Sequence, residues 1–461
     1  MVHHPQTRAR RPDTLNATIV AVATPPGRGA VGIVRLSGPR AFEIAARITG
    51  ELPPARHAAL RPFRNSAGEA LDQGLVLVFP APNSYTGEDV VELQGHGGPV
   101  VLDLIVRACC ALGARPARPG EFSERAFLND RLDLAQAEAV ADLINAASTQ
   151  AARAARRSLD GEFSKRVTAL VEELIQLRTF VEGALDFSDE DVNWLADEKL
   201  RARLAVLNES LRTLLHEAGQ GRRLREGMTV ALAGQPNVGK STLLNALAGS
   251  DAAIVTDVAG TTRDLLRENI VIDGLPITVV DTAGLRESRD PVERIGIERA
   301  WKAMEQAELV LFLLDDRAGF TAVDRELLER LPCGPEVLLL GNKCDLSNRP
   351  AQGFEQDGKN GLRISASKNL GLDRLRTEIR RVAGLGDAGE GLFSARTRHI
   401  EALQRAQAHA LTAQQRLTQR VAVELAAEEL RLAQQALSEI TGAFSSDDLL
   451  GRIFSTFCIG K

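Results

Sequence analysis

Met228-Thr229-Val230-Ala231-Leu232-Ala233-Gly234-Gln235-Pro236-Asn237-Val238-Gly239-Lys240-Ser241-Thr242 is the stretch on which the reading of this chain turns. The apolar run Met228–Ala233 has the length and texture of a buried strand. It leads straight into Gly-x-x-x-x-Gly-Lys-Ser at 234–241, the pattern of a phosphate loop. Glycines there let successive backbone N–H groups wrap an anion, and a helix starting at the loop turns its positive end toward it. The cradle runs over Asn237, Val238, Gly239, Lys240, Ser241 and Thr242. Lys240 is placed to reach β- and γ-phosphate oxygens, and the Ser241 hydroxyl to ligate magnesium.

Three further motifs follow in the order a nucleotide hydrolase needs. Val279-Val280-Asp281-Thr282-Ala283-Gly284 ends an apolar strand in Asp-x-x-Gly; Asp281 is expected to hold magnesium through water, and Gly284 to offer its N–H to the γ-phosphate. Asn342-Lys343-Cys344-Asp345 follows the apolar run Val337–Leu340. A carboxylate at Asp345 accepts both the N1–H and the exocyclic amine of guanine, a donor pair that adenine lacks. Ser365-Ala366-Ser367, after Leu362–Ile364, supplies a backbone N–H for the guanine O6. Between the phosphate loop and Asp281 lies Thr256-Asp257-Val258-Ala259-Gly260-Thr261-Thr262-Arg263-Asp264, from which Thr262 is expected to complete the magnesium shell. Together the motifs specify GTP. Ras-like hydrolases place a glutamine after Asp-x-x-Gly, but Leu285 stands here and can neither donate nor accept. Another group must organise the attacking water, and Arg286, Glu287, Arg289, Glu293 and Arg294 all remain open on the pattern alone.

Outward from this block the texture changes twice. Toward the N-terminus, the first ~130 residues read as mixed α/β, with short apolar runs at Thr18–Ala23, Gly32–Leu36, Leu75–Phe79 and Val90–Gln94 and a helical run at Val100–Leu112. From Leu132 to about Ala218 the chain is rich in Ala, Leu, Glu, Gln and Arg, and Leu134, Ala137, Ala141 and Ile144 recur at helical spacing. Beyond a glycine-rich joint, Gly384 to Gly391, a second helical tract puts Leu430, Ala433, Leu437 and Ile440 on one face. Each tract alone lacks a partner for its apolar face, so the economical arrangement is one helical domain with the nucleotide domain inserted into it. The expected divisions are 1–130, 131–221, 222–383 and 384–461.

Bulk properties exclude several classes. With 44% hydrophobic and 25% charged residues, the composition is that of an ordinary globular protein. A formal charge of −5 argues against indiscriminate nucleic-acid binding, so an RNA partner would have to meet a local basic patch. The runs Arg153, Arg156, Arg157, Lys165, Arg166 and Arg222, Arg223, Arg225 are the candidates. Five scattered cysteines indicate neither a zinc site nor a disulfide framework. No signal-peptide or membrane-spanning run is found, and a cytoplasmic protein without a membrane partner is expected. Cys458 in its apolar setting is expected to be buried and inert, and His96 to be a turn residue between glycines.

The resemblance to one family is specific. Asn237, Gly260-Thr261-Thr262-Arg263-Asp264 and the terminal Phe457-Cys458-Ile459-Gly460-Lys461 resemble the MnmE (TrmE) family of tRNA-modification GTPases. So do Thr24-Pro25-Pro26-Gly27-Arg28-Gly29, Glu92-Leu93-Gln94-Gly95-His96-Gly97-Gly98 and Arg118-Pro119-Gly120-Glu121-Phe122-Ser123-Glu124-Arg125-Ala126-Phe127. The resemblance implies an α/β + α fold, in which a Ras-like P-loop G domain is inserted into a helical domain and preceded by a mixed α/β, dimer-forming tetrahydrofolate-binding domain. It implies potassium-activated GTP hydrolysis by a homodimer working with a flavoprotein, MnmG (GidA), in a heterotetramer. That assembly adds a (carboxymethyl)aminomethyl group to C5 of the wobble uridine of certain tRNAs. The cofactors implied are Mg2+, K+ and a 5-formyl- or 5,10-methylene-tetrahydrofolate. Potassium would be held by Asn237, Thr256, Val258 and Thr261, supplying charge that an arginine finger supplies elsewhere. Glu293 matches the acidic residue that orients water. Arg35, Glu92, Arg131 and Lys461 match the folate positions, with arginine at 131 where lysine is expected. A ribosome-assembly GTPase of the Era or Der type is the alternative, since it shares the G-domain motifs.

Overall fold

Val90–Gly97 shows how the first part of the chain folds: Val91 and Leu93 are buried while Glu92 and Gln94 stay half-exposed, the two-residue alternation of a strand covered on one side. This strand belongs to a computed structural model that describes residues 17–186, 198–249, 267–281, 302, 304–385, 391–419, 424–443 and 447–460. The chain divides into two units, Met1–Ala141 with Ser438–Lys461, and Asp142–Leu437.

In the first unit, β1 (Ile19–Val22), β2 (Gly29–Ser37), β3 (Ala59–Arg64), β4 (Ala70–Phe79), β5 (Val90–Gly97) and β6 (Arg115–Pro116) form a sheet of order β3-β4-β5-β2-β1-β6. All pairs are antiparallel except β1 with β6. Helices Ala41–Thr49 and Pro99–Ala111 bring Ile44, Ile48, Leu102 and Ile105 into a core with Val34, Leu36, Phe63 and Val76. Each such side chain contributes about 1.5–3 kcal/mol on leaving water. The sequence reading did not mark β3. It carries Pro62, which cannot donate to a ladder, and it lies at the sheet edge. Helices Glu121–Leu128 and Leu134–Ile144 gather Phe127, Leu134, Ala137 and Ala141 around Ile453, Phe454 and Phe457 of the C-terminal segment. Phe127 lies 6.2 Å from Phe454, and Phe457 meets Phe454 edge-on at 5.4 Å. Ile144, whose spacing matched this face, ends its helix and is 51% exposed.

The second unit contains a helical part and a seven-stranded sheet. The 29-residue helix Glu198–Glu226 packs along Thr397–Gln419, with the Asn208 amide donating to Gln414 Oε1 at 2.8 Å. Phe163 of helix Glu162–Asp186 stacks on Phe393 at 4.6 Å. The two helical tracts thus close on each other across the inserted block. Within that block, β7 (Met228–Gly234), β8 (Arg267–Ile272), β9 (Leu275–Asp281), β10 (Leu309–Asp315), β11 (Glu336–Asn342), β12 (Gly353–Gln356) and β13 (Lys359–Arg363) are ordered β12-β13-β11-β10-β7-β9-β8. The five central strands are parallel and the two edges antiparallel. Leu309–Leu314 is buried throughout, as expected of a central parallel strand covered on both faces. Among the described residues no helix is long and apolar enough to cross a membrane.

Both crossings into the inserted block are bonded to the helical part. Gln220 donates to the Gly384 carbonyl at 2.7 Å, and Ser158 to the Ser394 carbonyl at 2.9 Å. Arg225 and Arg396 both donate to Asp142 Oδ1 at 2.7 Å, and Asp142 is only 8% exposed. Gly221 fits because its backbone lies against the chain returning at Phe393, where a Cβ would overlap the Phe393 carbonyl. Nothing surrounds a Cβ built on Gly183, also helical. Gly183→Ala is therefore expected to raise stability by about 0.4–1 kcal/mol, whereas Gly221→Ala is expected to lower it by about 1–3 kcal/mol. Urea unfolding of the two variants checks the contrast; equal shifts would contradict the close packing at Gly221.

Candidate functional site

Among the described residues, the nucleotide motifs lie at the carboxyl ends of parallel strands. β7 ends at Gly234, β9 at Asp281, β10 at Asp315 and β11 at Asn342, and Ser365 follows β13. The strand order changes direction about β7, with β9 on one side and β10 on the other, so a crevice opens at those ends. Gly234 (φ +130°) and Gly239 (φ +99°) take backbone angles that L side chains avoid, and a Cβ on Gly234 would overlap the Leu313 carbonyl. Helix Lys240–Ala248 begins at the loop and directs its first N–H groups back over it. The Lys240 ammonium donates to the carbonyls of Gly234 at 2.9 Å and Gln235 at 3.2 Å, which holds it above the loop.

The base-reading segment is fastened to the phosphate loop. Asn342, 3% exposed, donates through Nδ2 to the Val238 carbonyl at 2.8 Å and accepts the Ala366 N–H on Oδ1 at 3.0 Å. Lys343 takes a left-handed conformation (φ +65°) that turns its ammonium onto the Asn237 carbonyl at 2.7 Å and onto Asp315 at 2.9 Å. The Arg317 guanidinium and the Lys343 ammonium hold the Asp315 carboxyl well below the usual carboxylate range. Asp316 accepts from Ser347 and from Arg363 Nε, and its N–H donates to the Asn342 carbonyl at 2.8 Å. Asp345 Oδ1 is buried with no hydrogen-bond partner among the described residues, as a carboxylate awaiting donors from a bound base would be. Cys344 is buried, which pushes its thiol up and leaves it inert beside the reader.

Sequence reasoning missed Gln235, Asp315 and Asp316. The two aspartates end the apolar run Leu309–Leu314, and a carboxylate at the end of a parallel strand was a usable signal. Thr256, Asp257, Val258, Ala259, Gly260, Thr261, Thr262, Thr282, Ala283, Gly284, Glu293 and Lys461 lie outside the described residues, as do Leu285, Arg286, Glu287, Arg289 and Arg294.

A second polar cluster occupies the half-exposed side of the first unit's sheet. Arg35 on β2 stands opposite Glu92 on β5, and its Nε and Nη2 donate to Glu92 Oε1 at 3.0 and 2.8 Å. The guanidinium lies 5.6 Å from the Tyr85 ring and 5.8 Å from that of Phe122. Tyr85 is held by Ser123 at 2.8 Å, and burial pushes its phenol up. Arg35 also donates to the Gly460 carbonyl at 3.5 Å, bringing the C-terminal tail to the cluster. Arg131 packs its stem beside Gly87, with its side chain exposed.

Several sequence expectations are corrected. His96 is a strand residue of β5 rather than a turn residue, and its exposed ring meets Asp72 Oδ1 at 2.7 Å. Cys458 is exposed; its carbonyl accepts the Gly120 N–H, which leaves the thiol on the outside of the tail. In the basic runs, Arg156 pairs with Asp160 and Lys165 with Glu162 close by in sequence, whereas Arg166 reaches Glu217 and Arg225 reaches Asp142 on other helices.

Comparison with known proteins covers nearly the whole chain. Residues 18–131 match the profile described as GTP-binding protein TrmE N-terminus, and residues 134–458 that described as MnmE helical domain. Three curated relatives are each named tRNA modification GTPase MnmE. The protein of Stutzerimonas stutzeri (strain A1501) is 57% identical over 96% of this chain and 99% of its own length. That of Nitrosococcus oceani is 54% identical over 100% of both, and that of Yersinia pestis bv. Antiqua (strain Angola) 56% over 96% and 99%.

One buried charge beside this cluster gives a direct test. Arg125, 1% exposed, donates to Glu88 Oε2 at 2.9 Å, to the Ala17 carbonyl at 2.8 Å and to Glu121 Oε1 at 3.2 Å. Burial alone would raise the Glu121 carboxyl, but Arg115, the Arg118 N–H and Arg125 outweigh it and hold it low. Arg125→Met takes from Glu88 the guanidinium that pairs with it and one of the charges that hold Glu121, and is expected to cost about 3–5 kcal/mol. Unfolding by urea at neutral pH reads this, and a midpoint equal to the parent's would show the network to be dispensable.

Proposed function

Because the chain belongs to the MnmE (TrmE) family of tRNA-modification GTPases, we propose that loop 234–241, Asp281, Asn342–Asp345 and 365–367 hold magnesium GTP for hydrolysis activated by potassium. The chain is a GTP hydrolase of tRNA modification. The observation that carries the site assignment is the Asn342 carboxamide, which joins the phosphate loop to the backbone expected to read guanine O6. The ribosome-assembly alternative is not favoured, since the relatives align over 96% or more of this chain under one name.

The roles follow from chemistry. Lys240 meets the β- and γ-oxygens as a point charge, and the backbone amides of the loop share the same load. Asp345 selects guanine because an adenine would leave its buried oxygen unpaired. Lys343 already engages the Asn237 carbonyl, so it is the exposed Asn237 carboxamide that remains to face a monovalent cation. Magnesium at Ser241 and Thr262, and potassium at Asn237, Thr256, Val258 and Thr261, would supply positive charge against the phosphates. Glu293 is the proposed orienter of water.

We assign Arg35, Glu92, Arg131 and Lys461 to a reduced folate, with Glu92 accepting pterin N–H groups and the basic residues receiving carboxylates. Arg35 and Glu92 supporting each other across β2 and β5 fits that reading, as does the approach of the C-terminal tail. A homodimer joined to the flavoprotein MnmG, delivering a (carboxymethyl)aminomethyl group to the wobble uridine, completes the proposal.

GTP turnover is expected to run faster in potassium than in sodium, with Asn237→Ala erasing the difference and Glu293→Ala slowing hydrolysis in both salts. Equal rates of the parent in the two salts would remove the cation mechanism. Calorimetric titration with 5-formyl-tetrahydrofolate is expected to show binding by the full chain, weakened about tenfold or more by Glu92→Gln, the loss of a charge-assisted bond. Undiminished binding by Glu92→Gln would move the folate elsewhere.

A further inference from the structure

We infer that Gln235 is a positioning residue for Lys240, acting by fixing the start of the phosphate loop to the capped helix that follows β10. The inference rests on the reading of 234–241 as the triphosphate cradle and adds a residue that none of the loop's ligand-binding chemistry requires. Helix Ala322–Glu329 begins with a reciprocal cap. Thr321 Oγ1 accepts the Asp324 N–H at 3.3 Å, and Asp324 Oδ2 accepts the Thr321 N–H at 3.0 Å and the Thr321 hydroxyl at 2.6 Å. Asp324 is 2% exposed, so its other oxygen needs a donor from within the protein. Gln235 supplies that donor. Its carboxamide nitrogen reaches Asp324 Oδ1 at 2.8 Å and Thr321 Oγ1 at 3.1 Å, spending one N–H on each. The main-chain carbonyl of the same Gln235 receives the Lys240 ammonium at 3.2 Å, beside the Gly234 carbonyl at 2.9 Å.

A single residue thereby links a buried cap on one element to the ammonium that meets the phosphates. Asn342 and Lys343 hold the middle of the loop, at the carbonyls of Val238 and Asn237. Gln235 alone among these holds its beginning, where the carbonyls that aim Lys240 are. The chain leaves β7 at Gly234, whose φ of +130° gives the loop a backbone hinge at that point. With the Gln235 side chain released, rotation about this residue would carry both carbonyls, and the ammonium they orient, away from the phosphates.

The test exchanges an amide for a carboxylate. Gln235→Glu places a carboxylate against the buried Asp324 carboxylate and removes both donated bonds. Gln235→Glu combined with Asp324→Asn restores one donor facing one acceptor, with the roles reversed, and leaves an Asn oxygen to accept the Thr321 N–H. Affinity of the full-length protein for fluorescent GDP and GTP is expected to fall about tenfold or more in Gln235→Glu and to recover most of that loss in the double variant. The preference for GTP over inosine triphosphate, which Asp345 governs from the far side of the crevice, is expected to stay as in the parent. Gln235→Ala, which introduces no charge, gives the same direction of change with a smaller size and serves if Gln235→Glu fails to fold. Parent-like affinity in Gln235→Glu or in Gln235→Ala would overturn the inference, and so would a double variant no better than the single one. Absence of guanine-nucleotide binding by the parent would instead overturn the reading of the loop itself.

Discussion

The carboxamide of Asn342 is the contact on which the nucleotide site depends. It sits at the end of β11, buried, with its nitrogen on the phosphate loop and its oxygen on the backbone after β13. Both partners belong to segments that leave the sheet, and loops leaving a sheet have no ladder to fix them. One side chain that both donates and accepts supplies the missing constraint twice. The Gly239 position records how close the approach is, since a Cβ there would meet the Asn342 amide nitrogen. A larger residue in the loop or a shorter one at 342 would each open the joint between phosphate and base recognition.

The two units solve the problem of burial differently. The seven-stranded sheet has an apolar centre, with Leu309, Leu311 and Leu313 on one face and Val310, Phe312 and Leu314 on the other. At its carboxyl edge Asp315 holds Lys343 of the base-reading segment, and Asp316 accepts from Arg363 at the end of β13. The first unit instead buries Arg125 among Glu88 and Glu121 and sets Arg35 against the rings of Tyr85 and Phe122. A buried ion pair taken whole adds little to net stability, because the desolvation of both charges offsets their attraction, although removing one partner alone is costly. What it does provide is orientation. In the cluster proposed to take a reduced folate, fixed geometry is the useful property.

What the sequence disclosed, and what it withheld, follows from the reach of each signal. Phosphate loop, Asp-x-x-Gly and Asn-Lys-x-Asp are local patterns, and each lands at the strand end it was assigned to; the insertion of the block into a helical pair followed from two unpartnered apolar faces. β3 and β8 escaped notice because edge strands with Pro62 or with charges such as Arg267 and Glu268 lack the apolar runs of central ones. His96 was misplaced because glycines on both sides imitate a turn, whereas here Asp72, on the neighbouring strand, accepts its N–H and meets its ring. Residues that act across large sequence separations were invisible. Gln235 finds Thr321 and Asp324, Arg125 finds Ala17, and nothing within either local stretch announces the pairing.

The same separations explain why the inserted block behaves as part of its host. β9, which carries Asp281 to the crevice, is bonded along its length to β7 on one side and β8 on the other. The turn joining β8 to β9 is held from the helical part: Ser148, while capping helix Thr149–Leu159 by accepting the Ala151 N–H, donates to the Gly274 carbonyl at 2.5 Å. Gly274 takes φ +82°, which favours glycine, and the Gln150 side chain of that helix lies close against it. Sliding β9 along its neighbours would break this capped contact together with two ladders, a loss of many hydrogen bonds at about 0.5–1.5 kcal/mol each. Asp281 is accordingly presented from a fixed strand, and the helical part is coupled to the crevice through that strand's opposite end.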